Sequence, residues 1–191
     1  MKRLFFSGIV ILVVVIAAGA LVFRGKGVSA RRQPFPGEER LARAGWRFMV
    51  PAGMRTAANP APDTPETLTA ALEHFADHCA ICHGNDGSGR TTIGRSLYPP
   101  APDLRDRRSQ ELTDGELFYA IEQGIPWTGM PAWGSESLNG QDESWKLVRF
   151  IRHLPKITPD ELKRMEALNP RSPSDEKGTP AKTKKHPHKL P

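Results

Sequence analysis

Cysteine is nearly absent from this 191-residue chain, which contains only Cys79 and Cys82. Two cysteines cannot build the disulfide framework of a small secreted scaffold. They also fall short of a cysteine-based structural zinc site, which needs four ligands and usually a second Cys-x-x-Cys. Aromatic residues make up only 7% of the chain, and no segment shows the alternating apolar pattern of a strand. We therefore predict an all-α fold, and we find no internal repeat.

The two cysteines that are present lie in one short motif, Cys79-Ala80-Ile81-Cys82-His83. The spacing C-x-x-C-H is typical of covalent c-type haem attachment, in which both thiols bind the porphyrin and the histidine ligates iron. Residues three apart share one helix face, so both sulfurs can reach the same ring. A thioredoxin-like redox pair would follow a strand, whereas the preceding residues predict a helix. We assign Cys79 and Cys82 to covalent haem c and His83 to the iron.

The pattern around the motif predicts three helices. Thr64 is a suitable N-cap and Pro65 a suitable first residue for the helix that carries the motif. A second helix opens with the capping box of residues 113–116, and a third runs from about Asp142 to Pro155. The apolar positions of the first helix recur at spacings of four, three, four and three: Leu68, Leu72, Phe75, Cys79 and Cys82.

A second iron ligand is expected downstream, because one imidazole leaves the sixth position open. The loop of residues 125–134 is rich in Pro and Gly and carries one methionine, Met130, next to Pro131. A thioether is a soft ligand suited to ferrous iron, so we predict Met130 as the sixth ligand. The weaker candidates lie in a Pro-rich stretch or in a charged segment: Met49, Met54 and Met165.

Residues 66–154 resemble the class I, single-haem cytochromes c, especially the membrane-anchored bacterial ones. The resemblance rests on the C-x-x-C-H motif, on Gly129-Met130-Pro131, and on Phe75 paired with Leu147 and Phe150 near the end of the last helix. It implies a small helical domain around one covalent haem, with its first and last helices crossing. Ala71 stands where this family often has glycine.

The resemblance also implies a carbonyl partner for the axial imidazole. In this family a proline offers its backbone oxygen to the second ring nitrogen, which fixes the orientation and basicity of the ligand. The segment Tyr98-Pro99-Pro100 would supply it here, and the sequence does not distinguish Pro99 from Pro100.

The residues outside this domain differ in character. Leu4 to Phe23 are about 20 mostly apolar residues, enough for a transmembrane anchor over residues 1–23. A signal sequence cleaved near Val28-Ser29-Ala30 is the alternative. Residues 24–65 are predicted as a tether, and residues 155–191 as a short helix followed by a disordered basic tail. We expect a bacterial inner-membrane protein with its haem domain in the periplasm, or a soluble periplasmic protein after cleavage.

The formal net charge of +6 is unevenly distributed. Residues 1–65 carry +7 and residues 155–191 carry +4, whereas residues 66–154 carry −5. A protein exported from the cytoplasm meets little nucleic acid, so we predict no nucleic-acid partner. The basic flanks favour anionic lipid or an acidic protein, and a merely solubilising role is an equally good interpretation of the tail.

These features predict a single-electron carrier that performs no substrate chemistry of its own. Ligands on both sides of the iron leave no open position, and an apolar shell favours the ferrous state. The expected partners are redox proteins, with a dehydrogenase as donor and a terminal oxidase as acceptor. The alternative is a haem-based gas sensor or small-ligand enzyme whose sixth ligand is labile. The predicted shell consists of Ile81, Leu97, Leu104, Ile121, Trp127 and Trp133.

Overall fold

The computed structural model describes residues 2–26, 29–30, 32–134 and 138–169. The chain divides into two compact units, Met1–Gln33 and Pro34–Pro191. Every regular element within the described residues is helical, in agreement with the predicted all-α class. The tail predicted to be disordered lies outside the described residues from residue 170 onward.

The described part of the first unit contains one helix, α1, which spans Lys2–Lys26. Its side chains from Ile9 to Ile16 are exposed apolar groups. Among the residues that the structure describes, no helix is long and apolar enough to cross a membrane. The anchor over Leu4–Phe23 stays a prediction, and Val28 of the alternative cleavage site lies outside the described residues.

The second unit begins with two helices inside the range predicted as a tether. These are α2, Glu38–Met49, and α3, Ala52–Arg55. Trp46 is only 8% exposed and Val50 only 1%. They form an apolar cluster with Ala120, and Met54 of α3 packs against it. Part of the predicted tether is therefore packed as ordered helix.

The attachment segment follows as helix α4, Pro65–His74, a π-helical turn, Phe75–Cys79, and helix α5, Ala80–His83. The hydroxyl of Thr64 accepts a hydrogen bond from the Thr67 N–H at 3.3 Å, which confirms the predicted cap. The Ala80 N–H donates to the carbonyl of Phe75, five residues earlier. This wider turn inserts one residue into the helical register just before the motif.

The described residues of this unit contain five further helices: α6 Thr92–Ser96, α7 Arg107–Gln110, α8 Asp114–Gln123, α9 Leu138–His153 and α10 Pro159–Leu168. The capping box that opens α8 is confirmed, because the Glu116 N–H donates to the Thr113 hydroxyl at 3.1 Å and the Thr113 N–H donates to the Glu116 carboxylate at 2.8 Å. A 3₁₀ turn, Leu154–Lys156, follows α9. Met165 of α10 is 0% exposed, so the short helix predicted after the domain belongs to its core.

The core forms where α4 and its π turn pack against α9. The rings of Phe75 and Phe150 lie 5.1 Å apart between centroids, and Ala71 is 0% exposed. A second aromatic pair joins α8 to α9, where Phe118 stacks on Trp145 at 4.1 Å. Such pairs favour a fixed geometry beyond the apolar area that they bury. The packing of Phe75 therefore determines where the attachment motif begins.

Candidate haem site

The motif occupies the end of the attachment segment. Cys79 is the last residue of the π turn, and Cys82 and His83 lie in the single turn of α5. A short helix leaves its last carbonyls without helical partners. The Thr91 hydroxyl lies 2.9 Å from the carbonyl oxygen of Ile81 and 3.1 Å from that of Cys82. The same hydroxyl accepts from the Gly94 N–H at 2.8 Å and so caps α6. Thr91 therefore fixes α6 against the motif.

Both cysteines lie in surroundings that favour a neutral sulfur. Burial, and secondarily the neighbouring Cys82, raises the pKa of Cys79 to about 12. Burial also raises the pKa of Cys82. Thiol redox exchange and zinc binding both use the thiolate, which these surroundings disfavour. A thioether carries no charge, so the site suits sulfurs that are bonded to carbon.

The imidazole of His83 is buried, with only 9% of the residue exposed. Burial lowers its pKa, and a backbone interaction with Pro102 opposes the shift. Because proline has no N–H, the interacting group is its carbonyl. The Nδ1 atom itself has no hydrogen-bond partner among the described residues. The choice of Pro99 or Pro100 as the carbonyl partner of the imidazole therefore stays a prediction.

Met130 lies at the end of a hydrogen-bonded turn in the loop after α8. The Thr128 hydroxyl donates to the Ile125 carbonyl at 2.7 Å and accepts from the Met130 N–H at 3.1 Å. The Ile125 N–H donates to the Met130 carbonyl, also at 3.1 Å. The side chain is half-buried. Of the weaker candidates, Met165 is in the core and Met54 packs beneath α8, whereas Met49 is 53% exposed.

Two glycines allow this loop to pack closely. Gly124 has φ +65°, and a Cβ there would lie 2.6 Å from the Pro131 carbonyl carbon and 2.8 Å from the Met130 oxygen. A Cβ at Gly129 would lie 2.6 Å from Cδ2 of Leu97. Leu97 immediately follows α6, which Thr91 joins to the motif. The Met130 loop and the cysteine motif are thus connected through α6 and Leu97.

The surroundings fit a large, flat, apolar group. Leu104 and Ile121 of the predicted shell are buried. Three other shell residues are exposed despite their apolar surfaces: Ile81 at 47%, Trp133 at 42% and Trp127 at 87%. Ile81 lies within the motif, and the two tryptophans flank Met130. Together with the unpartnered Nδ1 of His83 and the two neutral cysteines, they match what a porphyrin requires.

Comparison with known proteins agrees with this geometry. The family described as cytochrome c oxidase, cbb3-type, subunit III matches residues 66–151. This segment is a monohaem c-type cytochrome domain. It carries one covalently bound haem c.

Two curated proteins are similar to the same part of the chain. The cbb3-type cytochrome c oxidase subunit FixP of Rhizobium meliloti (strain 1021) is 33% identical over 95 residues. The corresponding subunit FixPc of Rhizobium leguminosarum bv. viciae is 32% identical over 94 residues. Each alignment covers 49% of this chain and 30% of the relative. The likeness therefore concerns the cytochrome domain and leaves most of each relative unmatched.

Two residues that shape the site were not predicted from the sequence. Thr91 could have been found, since a threonine that opens a short helical segment is a common N-cap. Thr128 had a weaker signal as a hydroxyl two residues before Met130 in a turn.

We predict that Gly124→Ala destabilises the domain and displaces the Met130 loop. At φ +65° and ψ −174° a non-glycine residue is strained by roughly 1–3 kcal/mol, and the new Cβ would meet loop backbone at 2.6 Å. Chemical unfolding of the holoprotein, followed by circular dichroism, measures the loss. The matched control is Gly45→Ala in α2, where nothing lies within 4 Å of the added Cβ. It should be neutral or slightly stabilising. Equal losses of stability in both variants would contradict this prediction.

Proposed function

We propose that the protein is a single-electron carrier whose haem c is bonded to Cys79 and Cys82 and ligated by His83 and Met130. The observation that carries the proposal is the arrangement of the motif itself. A buried histidine and two neutral cysteines lie within the five residues 79–83, where the π turn meets α5. Thr91 joins this segment to α6, and Leu97, which follows α6, contacts Gly129 beside Met130.

Each residue would contribute a distinct property. When bound, haem c supplies a one-electron ferric/ferrous couple. Burial lowers the pKa of His83, which favours the neutral imidazole with a lone pair available. The turn through Thr128 and Ile125 holds Met130, whose thioether favours the ferrous state. If both His83 and Met130 bound the iron, no ligand position would remain for a substrate.

We propose a terminal oxidase as the electron acceptor and a dehydrogenase as the ultimate donor. The two relatives are named as subunits of cbb3-type cytochrome c oxidases. The domain itself would perform no substrate chemistry, although an oxidase complex to which it contributed electrons is an oxidoreductase. The acidic character of residues 66–154 would direct it toward a basic surface on its partner.

We also propose that the haem domain works at the periplasmic face of a bacterial inner membrane. The apolar residues Leu4 to Phe23 would anchor it, and the basic residues that follow would favour anionic headgroups. A soluble periplasmic carrier, released by cleavage of the first 30 or so residues, is the alternative.

Met130→Ala tests the sixth ligand. Without the thioether the oxidised protein should lose its near-infrared sulfur-to-iron band, become high-spin or water-ligated, and show a lower reduction potential. Met49→Ala is the matched control, since that side chain lies on α2 and is 53% exposed. Survival of the band in Met130→Ala would assign ligation to another residue.

Rapid binding of carbon monoxide by the reduced wild type at neutral pH would support the sensor alternative instead.

Cys79→Ser and Cys82→Ser test the covalent attachment. Each change removes one sulfur that would bond the porphyrin, so the yield of holoprotein should fall sharply. Haem staining after denaturing electrophoresis measures the covalent fraction. Ile81→Ser, which lies between the two cysteines and leaves both intact, should retain the stain. Full haem staining of a variant that carries both Cys79→Ser and Cys82→Ser would refute covalent attachment at these residues.

Cell fractionation tests the location. An anchored protein should remain with membranes in high salt and dissolve only in detergent, because apolar burial is insensitive to ionic screening. A variant with three leucines or isoleucines of residues 9–16 changed to serine should shift to the soluble fraction. Recovery of a shortened, haem-stained wild-type protein from the periplasm would show that cleavage is correct and the anchor wrong.

A further inference from the structure

We propose that helix α2 is a strap that holds the Met130 loop in its ligating position, with Trp46 and Arg47 as positioning residues. The inference rests on the proposed ligation by Met130. Nothing in the C-x-x-C-H motif or in the matched residues 66–151 includes α2, which lies entirely before that segment.

The first attachment of the strap is an ion pair between the half-exposed Arg47 and the buried carboxylate of Glu116. Arg47 donates from Nε to Oε1 of Glu116 at 2.7 Å and from Nη2 to Oε2 at 3.1 Å. The Glu116 side chain is 1% exposed, and its Oε2 also accepts from the Thr113 N–H at 2.8 Å. A bidentate arginine is the strongest common partner for a carboxylate. Removing Arg47 would leave a buried charge short of two donors, so the pair ties α2 firmly to the first turn of α8.

The second attachment is apolar and reaches the loop directly. Trp46 and Val50 form a cluster with Ala120, and Ile125 packs against it. Ile125 is also the base of the Met130 turn, since its N–H donates to the Met130 carbonyl and its own carbonyl accepts from Thr128. A shift of Ile125 would therefore move Met130. The indole Nε1 of Trp46 has no partner among the described residues, so its ring acts here through packing.

The third attachment lies at the beginning of α2. The Tyr98 hydroxyl donates to the carboxylate of Glu38. Tyr98 follows Leu97, the side chain against which Gly129 of the Met130 loop is packed. The strap thus contacts the base of the loop through Ile125 and the segment on which the loop rests through Tyr98. Both contacts oppose withdrawal of Met130.

Binding of imidazole to the oxidised, full-length holoprotein measures how readily Met130 withdraws. An external ligand binds iron only when the thioether has left, so its apparent affinity reports the population of the open loop. We expect Trp46→Ala and Arg47→Ala to bind imidazole about tenfold more tightly than wild type while circular dichroism shows the same helix content. The near-infrared band should also disappear at a lower temperature, ahead of global unfolding.

Matched variants separate positioning from general loss of structure. Trp46→Phe keeps an aromatic ring in the cluster, so its imidazole affinity should match wild type. Arg47→Lys keeps the charge, so its affinity should fall between those of wild type and Arg47→Ala. Phe48→Ala is the neighbouring control on α2, where the side chain is 84% exposed, and it should leave imidazole affinity unchanged. If Trp46→Ala does not fold, Val50→Ala replaces it.

Two results would overturn the strap. The first is an unchanged imidazole affinity in folded Arg47→Ala and in whichever of Trp46→Ala and Val50→Ala folds. The second is an equal gain of imidazole affinity in Phe48→Ala. Failure of the proposed ligation would be visible separately. In that case wild type would lack the near-infrared band, and Met130→Ala would bind imidazole no more tightly than wild type.

Discussion

The packing of α4 against α9 is the constraint on which the rest of the domain depends. Ala71 is small enough for close approach, and Phe75 meets Phe150 one turn later at 5.1 Å between ring centroids. The π turn begins at Phe75 itself, and its wider spacing ends at Cys79. Hence the contact that stabilises the two helices also sets the register from which the cysteines and His83 extend. A displaced Phe75 would misplace the whole motif.

Local sequence signals predicted the elements well because their physics is local. The cap at Thr64, the capping box of Thr113 and Glu116, and the helical presentation of the motif each involve residues within one turn of each other. The all-α class follows in the same way from helical periodicity and the absence of alternating strands. The comparisons with known proteins agree with the cofactor that the five-residue motif predicted.

The sequence could not predict contacts between distant parts of the chain. Arg47 and Glu116 are 69 positions apart, and neither has a feature that marks it as a partner of the other. The proline-rich composition of residues 24–65 favoured a tether, although the spacing of Trp46 and Val50 carried a helical signal that the composition obscured.

The distribution of apolar surface shows that this fold is built to be completed by its cofactor. Helix packing accounts for Leu104 and Ile121, yet Ile81 and Trp133 expose close to half of their surfaces beside the motif and the loop. A domain of this size has little core to spare. Covering those side chains with a covalently attached porphyrin would extend the core to both sides of the site. Any group that binds the folded chain in preference to the unfolded one also stabilises it, so haem attachment and the stability of the Met130 loop are thermodynamically linked.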